Sequence, residues 1–238
     1  MITTRAPLRI PLGGGGTDLP SYYAKHGGFV ISMGIDKYVY IQLNRLEVED
    51  FVRVKYARTE LVEHPKQIIH PLLRESLIQT QILKGIEISA LSDIPGRTGM
   101  GSSGSFTVSL LAALHAYKRE HITTQNLAEE AFFVEAERAQ QPTGKQDPYI
   151  GAFGNFTRLD IDQLGKVTVS KLQLPKHVEE KLSRNILLFF TGIRRESFDI
   201  LTEQAATTIA GDSTTLENLH KTKQIGYQIH DTLISGDL

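Results

Sequence analysis

Between positions 38 and 43, Val39, Ile41 and Leu43 alternate with Tyr38, Tyr40 and Gln42, the two-residue period of a β-strand. Val52, Val54 and Tyr56 repeat the pattern against Arg53, Lys55 and Ala57. Large residues occupy the second face of both strands, so neither face is expected to be fully solvated. After Pro71 the period lengthens, and Leu72, Leu73, Leu77 and Ile78 form the stripe of a helix. A short strand follows with Ile86, Ile88 and Ala90 on one face, and Pro95 and Gly96 end it. The stretch FTVSLLAALHAYKRE reads as an apolar helix of about four turns. A second helix is predicted from Thr124 to Gln140, with Thr124 as its N-cap, and a strand from Phe156 to Ile161. Beyond residue 165 the pattern restarts with KVTVSKL, a buried strand in NILLFFTG and a helix from near Ser197. A domain boundary is therefore expected near 165–180.

Composition narrows the class. The chain has 238 residues, enough for one large domain or two small ones. With 40% hydrophobic and 22% charged residues it can bury a sizeable core and has no disorder signature. Lys and Arg (26) balance Asp and Glu (27), so no basic field exists to hold a nucleic acid. The absence of cysteine excludes disulfides, thiolate metal sites and cysteine nucleophiles. No apolar run approaches the roughly 20 residues that span a bilayer. Pro7 and Pro11 sit where a signal peptide would need a helical apolar stretch. The expectation is a soluble, cytoplasmic globular protein without membrane contact.

Three clusters offer chemistry. The first runs from Pro95 and Gly96 through Gly99, Gly101, Ser102, Ser103 and Gly104, between a strand and a helix. Glycines let the backbone approach a ligand closely, and successive N–H groups at a helix N-terminus form an anion cradle. Ser102 and Ser103 add hydroxyls for phosphate or Mg²⁺; the plain alternative is a flexible connector whose serines cap the helix. No lysine follows Gly101, so this is not a Walker A loop. The string GMGSSG matches GxGxxG, but a second helix rather than a strand follows the first, which excludes the dinucleotide fold. The second cluster is Arg9, then four glycines (residues 13–16), Thr17 and Asp18. Here Asp18 would bind a polyol and Arg9 would offset developing negative charge, or Asp18 simply caps a helix over residues 19–26. The third is Glu135, Glu137 and Arg138 on a helix, then Gly144, Lys145, Gln146 and Asp147 on a turn. Two such carboxylates would share Mg²⁺ and a substrate hydroxyl, or belong to a solvated face and an ordinary turn.

Taken together, APLRIPLGGGGTD and PGRTGMGSSGSF resemble, in order and separation, the first two motifs of the GHMP sugar and mevalonate kinases. Three stretches are most similar to the D-glycero-D-manno-heptose 7-phosphate kinases: LRIPLGGGGTDLPSYYAKHGGFVISMGIDKYVYI, GKQDPYIGAFG and LLFFTGIRRESFDILTEQ. The resemblance implies an α/β (α+β) fold. Residues 1–170 would form a ribosomal-protein-S5-like N-terminal domain, and 171–238 part of a ferredoxin-like C-terminal domain. It implies ATP-dependent phosphoryl transfer to the anomeric hydroxyl of a sugar phosphate. By motif, Pro95, Gly96, Gly99, Gly101, Ser102, Ser103 and Gly104 would hold ATP, and Ser103 and Glu137 would associate with Mg²⁺. Asp147 would be the catalytic aspartate, with Arg9 beside it. Thr17 and Asp18 would face the sugar, and Lys145 and Arg195 the phosphate already on it.

The family's late glycine-rich third motif has no counterpart before Leu238, so the C-terminal domain is expected to be cut short. Pro148 follows Asp147 where heptose kinases usually carry Gln, and Asn155 breaks the later glycine pair. Two alternatives stay open: a kinase of another sugar such as fucose or galactose, and a non-catalytic nucleotide- or sugar-binding remnant. An incomplete domain would expose apolar surface, which leaves a homo-oligomer open as well.

Overall fold

The computed structural model describes residues 1–192 and 197–236. Its strands are β1 (Ile2–Gly13), β2 (Gly28–Arg45), β3 (Val52–Lys55), β4 (Thr59–Val62), β5 (Ile86–Ser92), β6 (Phe156–Ile161) and β7 (Val167–Lys171). They form one mixed sheet in the order β4-β3-β5-β2-β6-β7, with β1 paired to β2 off that path. The β3–β5 pair is parallel and the other pairs are antiparallel. The long β2 organises the sheet: its first half pairs with β6, its second half with β5, and both halves with β1.

The helices are α1 (Pro20–His26), α2 (Pro71–Gln79), α3 (Ser102–Lys118), α4 (Thr124–Phe133), α5 (Gln146–Phe153), α6 (Lys176–Asn185), α7 (Ser197–Ile209) and α8 (Ser213–Ser235). Alternation along the strands sorts side chains into two layers. Val39, Ile41, Leu43, Val52, Val54, Ile86 and Ile88 are buried against Leu72, Leu73 and Leu77 of α2 and Phe106, Leu110 and Leu114 of α3. Val30, Leu159 and Ile161 pack on Ala128 of α4 and on Tyr149 and Ile150 of α5. Phe29 and Ile31, the neighbours of Val30, point the other way and meet Leu174, Val178 of α6 and Leu233 of α8. The sheet is thus sandwiched between helices. Tyr38, Tyr40 and Gln42 are half-buried, as the large residues on the second face predict.

Three local expectations change. The N-cap of α4 is Thr123, whose hydroxyl accepts from the Asn126 N–H at 3.2 Å. The helix expected to reach Gln140 stops at Phe133 and widens into a π-helical turn, Val134–Arg138. The apolar run at 186–190 is irregular, and its residues from 187 on are exposed, with Leu187 at 76% and Phe189 at 78%. A strand needs a neighbouring edge to pair with, and among the described residues no strand follows β7. Among the same residues, no helix is long and apolar enough to cross a membrane.

Candidate active site

The chain leaves β5 and enters α3 through two left-handed glycines, Gly99 (φ 75°) and Gly101 (φ 71°). Arg97 between β5 and Gly99 is also left-handed (φ 66°), a conformation disfavoured for a side-chain residue and common at ligand sites. Strand β1 holds this turn from beneath. The Arg9 N–H donates to the Met100 carbonyl at 3.1 Å, and the Ser105 hydroxyl donates to the Pro7 carbonyl at 2.6 Å. Because α3 starts at Ser102, its first-turn N–H groups lack intrahelical partners and carry the positive end of the helix dipole.

Arg9 joins this turn to the third cluster. Its Nε donates to Asp147 Oδ1 at 2.8 Å, its Nη2 lies 2.7 Å from the same oxygen, and its Nη1 donates to the Gly99 carbonyl at 2.7 Å. Asp147 stands in the first turn of α5 with 22% of its side chain exposed. Among the described residues nothing donates to its Oδ2. A Cβ added to Gly101 would lie 3.2 Å from the Asp147 carboxyl carbon. The glycine turn, the guanidinium and the carboxylate therefore converge, and Gly96, Gly99, Ser102 and Ser103 line one cleft of about 700 Å³ with them.

Of the third cluster's two helix carboxylates, the one that lines this cleft is Glu135, not the Glu137 that the motif assigns to Mg²⁺. Glu135 is fully buried, and its Oε1 has no hydrogen-bond partner. Burial pushes its carboxyl up to about 8; the charge of Asp147 adds to the rise, and hydrogen bonding with Thr107, Ser103 and Thr143 opposes it. Glu137 is exposed, so the structure does not bring it to the cleft and Glu135 stands where it was expected. The signal was present: Ala128 and Ala131 are buried on α4, and Glu135 continues their i, i+3, i+7 face. A buried, unpartnered carboxylate oxygen next to a serine hydroxyl is a donor set that suits a hard divalent cation.

The remaining expected residues divide. Asp18 does not cap α1, whose N-cap is Leu19. It is buried, and its carboxylate accepts from the Gln146 N–H at 2.9 Å and the Gly16 N–H at 3.1 Å, tying the glycine run to the residue before Asp147. Burial raises its pKa, the Gln146 bond opposes this and the charge of Asp147 adds to it. Thr17 is fully buried; its hydroxyl donates to the Gly14 and Phe29 carbonyls and accepts from the Phe29 N–H. Its single proton is shared between two backbone carbonyls and it accepts from a backbone N–H, so burial and backbone bonding account for this hydroxyl. Lys145 is also buried, with Nζ 2.8 and 2.7 Å from the two Glu129 oxygens and 4.6 Å from the Phe132 ring centroid. Its charge is neutralised there, away from the cleft lining. Gly104 is a packing position against Asp147 and Pro148 rather than a ligand contact. Pro95 is exposed beside the turn and accepts from the Thr98 hydroxyl at 3.2 Å. Arg195 lies outside the described residues.

Both departures from the motif are absorbed locally. Pro148 falls in the first turn of α5, where a missing N–H removes no helical bond. Asn155 takes a left-handed conformation (φ 54°) that Asn tolerates, and its carbonyl accepts from the Gly34 N–H at 2.8 Å.

One side of the cleft is apolar and aromatic. The His70 ring lies 5.0 Å from both Tyr56 and Phe106, and all three line the cleft with Leu72 and Val39. Helix α7 adds Phe198 and Leu201 to the lining.

Residues 63–155 match the family of GHMP kinases N terminal domains. The chain is 26% identical to the D-glycero-alpha-D-manno-heptose 7-phosphate kinase of Campylobacter jejuni across 99% of its own length and 72% of that protein's. It is 26% identical to the galactokinase of Pyrococcus furiosus over 208 residues, 82% of this chain and 54% of that one. Its fold is that of a D-glycero-D-manno-heptose 1-phosphate kinase from Bacteroides thetaiotaomicron, with a TM-score of 0.74 and 20% identity over 98% of this chain and 80% of the other.

Proposed function

We propose that this chain, whose residues 63–155 match the GHMP kinases N terminal domain family, is an ATP-dependent sugar kinase. In this reading it transfers the γ-phosphoryl group to the anomeric hydroxyl of a sugar phosphate of the D-glycero-D-manno-heptose 7-phosphate type. The observation that carries the proposal is the Arg9–Asp147 pair, set against the left-handed glycine turn at the start of α3.

Phosphoryl transfer passes through a loose transition state, so positioning and charge neutralisation do most of the work. The free N–H groups of α3, with Gly99, Gly101, Ser102 and Ser103, receive the polyphosphate. The Tyr56–His70–Phe106 side takes the nucleoside. Asp147, with Arg9 on Oδ1 and Oδ2 open, accepts a hydrogen bond from the sugar hydroxyl and aims its oxygen at the γ-phosphorus. As the new O–P bond forms and the bond to the β-phosphate oxygen breaks, the hydroxyl proton passes to Asp147 and ADP departs. Arg9 stays beside the developing charge. Glu135 and Ser103 would hold Mg²⁺, which when bound offsets phosphate charge. Asp18 holds the start of α5 through its bond to the Gln146 N–H.

The test is ATP consumption with heptose 7-phosphate, fucose and galactose, alongside binding of a non-hydrolysable ATP analogue. Turnover is expected with the heptose. Asp147→Asn should lower kcat by about 100-fold or more while leaving analogue binding and Tm unchanged. Undiminished turnover in that variant removes Asp147 from the mechanism. Analogue binding with no turnover on any sugar replaces the kinase with a non-catalytic nucleotide-binding protein.

A further inference from the structure

Helix α7 carries one inward stripe along its length, formed by Phe198, Leu201, Gln204, Ala205 and Thr208 at helical spacing. At its far end the stripe is closed: Thr208 is 2% exposed. In the middle, Gln204 Nε2 donates to the Gly16 carbonyl at 3.1 Å. A Cβ at Gly16 would meet that nitrogen at 2.8 Å and Leu219 of α8 at 3.3 Å. At its near end the stripe opens. Phe198 is 49% exposed and lines the active cleft together with Leu201, where the other walls carry Arg9, Glu135 and Asp147.

The seat of α7 says which substrate this wall faces. Gly16 precedes Thr17 and Asp18, Asp18 grips the Gln146 N–H, and Asp147 follows. The wall is therefore built on the same loop that positions the carboxylate meant for the hydroxyl. The aromatic group comes from other elements: Tyr56 just after β3, His70 at the N-cap of α2 and Phe106 in the second turn of α3. With the polyphosphate at the start of α3, the acceptor lies on the α7 side and the nucleoside on the other. A pyranose ring has hydroxyls around its rim and a C–H face that is apolar, and flat apolar side chains recognise such a face.

We propose that Phe198 and Leu201 form the platform that receives the C–H face of the acceptor sugar and so select it. Gln204 is a positioning residue that sets the height of this platform over the glycine run. The proposal rests on the sugar-kinase reading, and its test separates the two.

The chain has no tryptophan, so Phe198→Trp introduces a single indole at the platform. Its emission should shift on addition of heptose 7-phosphate and stay unchanged with a non-hydrolysable ATP analogue and Mg²⁺. Phe198→Ala should raise KM for the sugar about tenfold, the scale of a lost apolar contact in a specificity pocket. KM for ATP should stay put, and Phe198→Tyr should restore the sugar KM. Calorimetry on the unaltered protein reads sugar binding independently. If that protein binds the sugar but the indole is silent, or answers to nucleotide instead, the platform is overturned and the kinase reading stands. An unchanged sugar KM in Phe198→Ala overturns it as well. If the unaltered protein binds no sugar, the kinase reading falls and takes the platform with it.

Discussion

Glu60 accepts hydrogen bonds from the Ile69 N–H at 2.8 Å and from the Tyr56 hydroxyl at 2.7 Å, and so holds the β3–β4 hairpin to the segment that starts α2. Burial alone would push its carboxyl up, but these donors outweigh burial and hold it below the ordinary value. An acid depressed in the folded state stabilises above its unfolded pKa, and that contribution is lost as pH falls through the folded one. The Tm of the protein should therefore drop on acidification below about pH 4.3, the ordinary glutamate value. Glu60→Gln should start from a lower Tm at pH 7 and lose less of it on the way down; parallel curves for the two proteins would refute the linkage. Such pairings explain which single residues were legible. Glu135 could be found, because the face that holds Ala128 and Ala131 is a local pattern. Thr17 and Lys145 could not: their partners lie 12 residues away at Phe29 and 16 away at Glu129, and spacing does not reveal them. A buried hydroxyl and a paired ammonium look the same in sequence as groups waiting for a ligand.

At the crossing of α3 and α5 the two backbones nearly touch. A Cβ on Gly104 would lie 2.6 Å from the Asp147 carbonyl carbon and 2.7 Å from both Asp147 Cβ and Pro148 N, distances that atoms do not share. Gly104→Ala must therefore push the first turn of α5 away, and Asp147 with it. Overpacking of this kind costs about 1–3 kcal/mol, readable by urea denaturation. The kinetic signature is sharper: kcat should fall while KM for ATP holds, because the α3 N-terminus stays in place and the carboxylate moves. An alanine variant with unchanged kcat would show that the crossing does not set the position of Asp147. Sequence alone groups Gly104 with the phosphate-loop glycines, since it shares their run; only the arrival of α5 gives it a different task. Elements with a clean period were legible, as in Val39, Ile41 and Leu43, where alternation and burial agree. The run at 186–190 was not, because side chains apolar on every face carry no period. Whether such a run forms a strand depends on an edge elsewhere in the chain.

The pattern break at 165–180 invites a division of the chain there, yet the later helices finish the core of the earlier strands. Val178 of α6 and Leu233 of α8 close over Phe29 and Ile31. Tyr227 packs tilted against Phe29 with ring centroids 4.1 Å apart, and Lys223 Nζ donates to the carbonyls of His26 and Gly27 at 2.8 and 2.9 Å. The closest approach is between two glycines: a Cβ at Gly13 would sit 2.8 Å from Gly226 Cα, and one at Gly226 would sit 2.9 Å from the Phe29 ring. Helix α8 can lie this close to the glycine run only because neither position has a side chain. Since α8 shares the core of β2, the protein should unfold in one transition by circular dichroism and by tyrosine fluorescence alike. Gly226→Val places a branched side chain where α8 meets Phe29, so it should lift the helix, uncover the second face of the sheet and split the two probes into separate transitions. It should also weaken sugar binding more than nucleotide binding, because Gly16 is flanked by Gln204 of α7 and Leu219 of α8 while the α3 turn is held by β1. Two well-separated transitions in the unaltered protein would mean that the residues after 171 fold by themselves, and the acceptor wall would then be a hinged part rather than a fixed one.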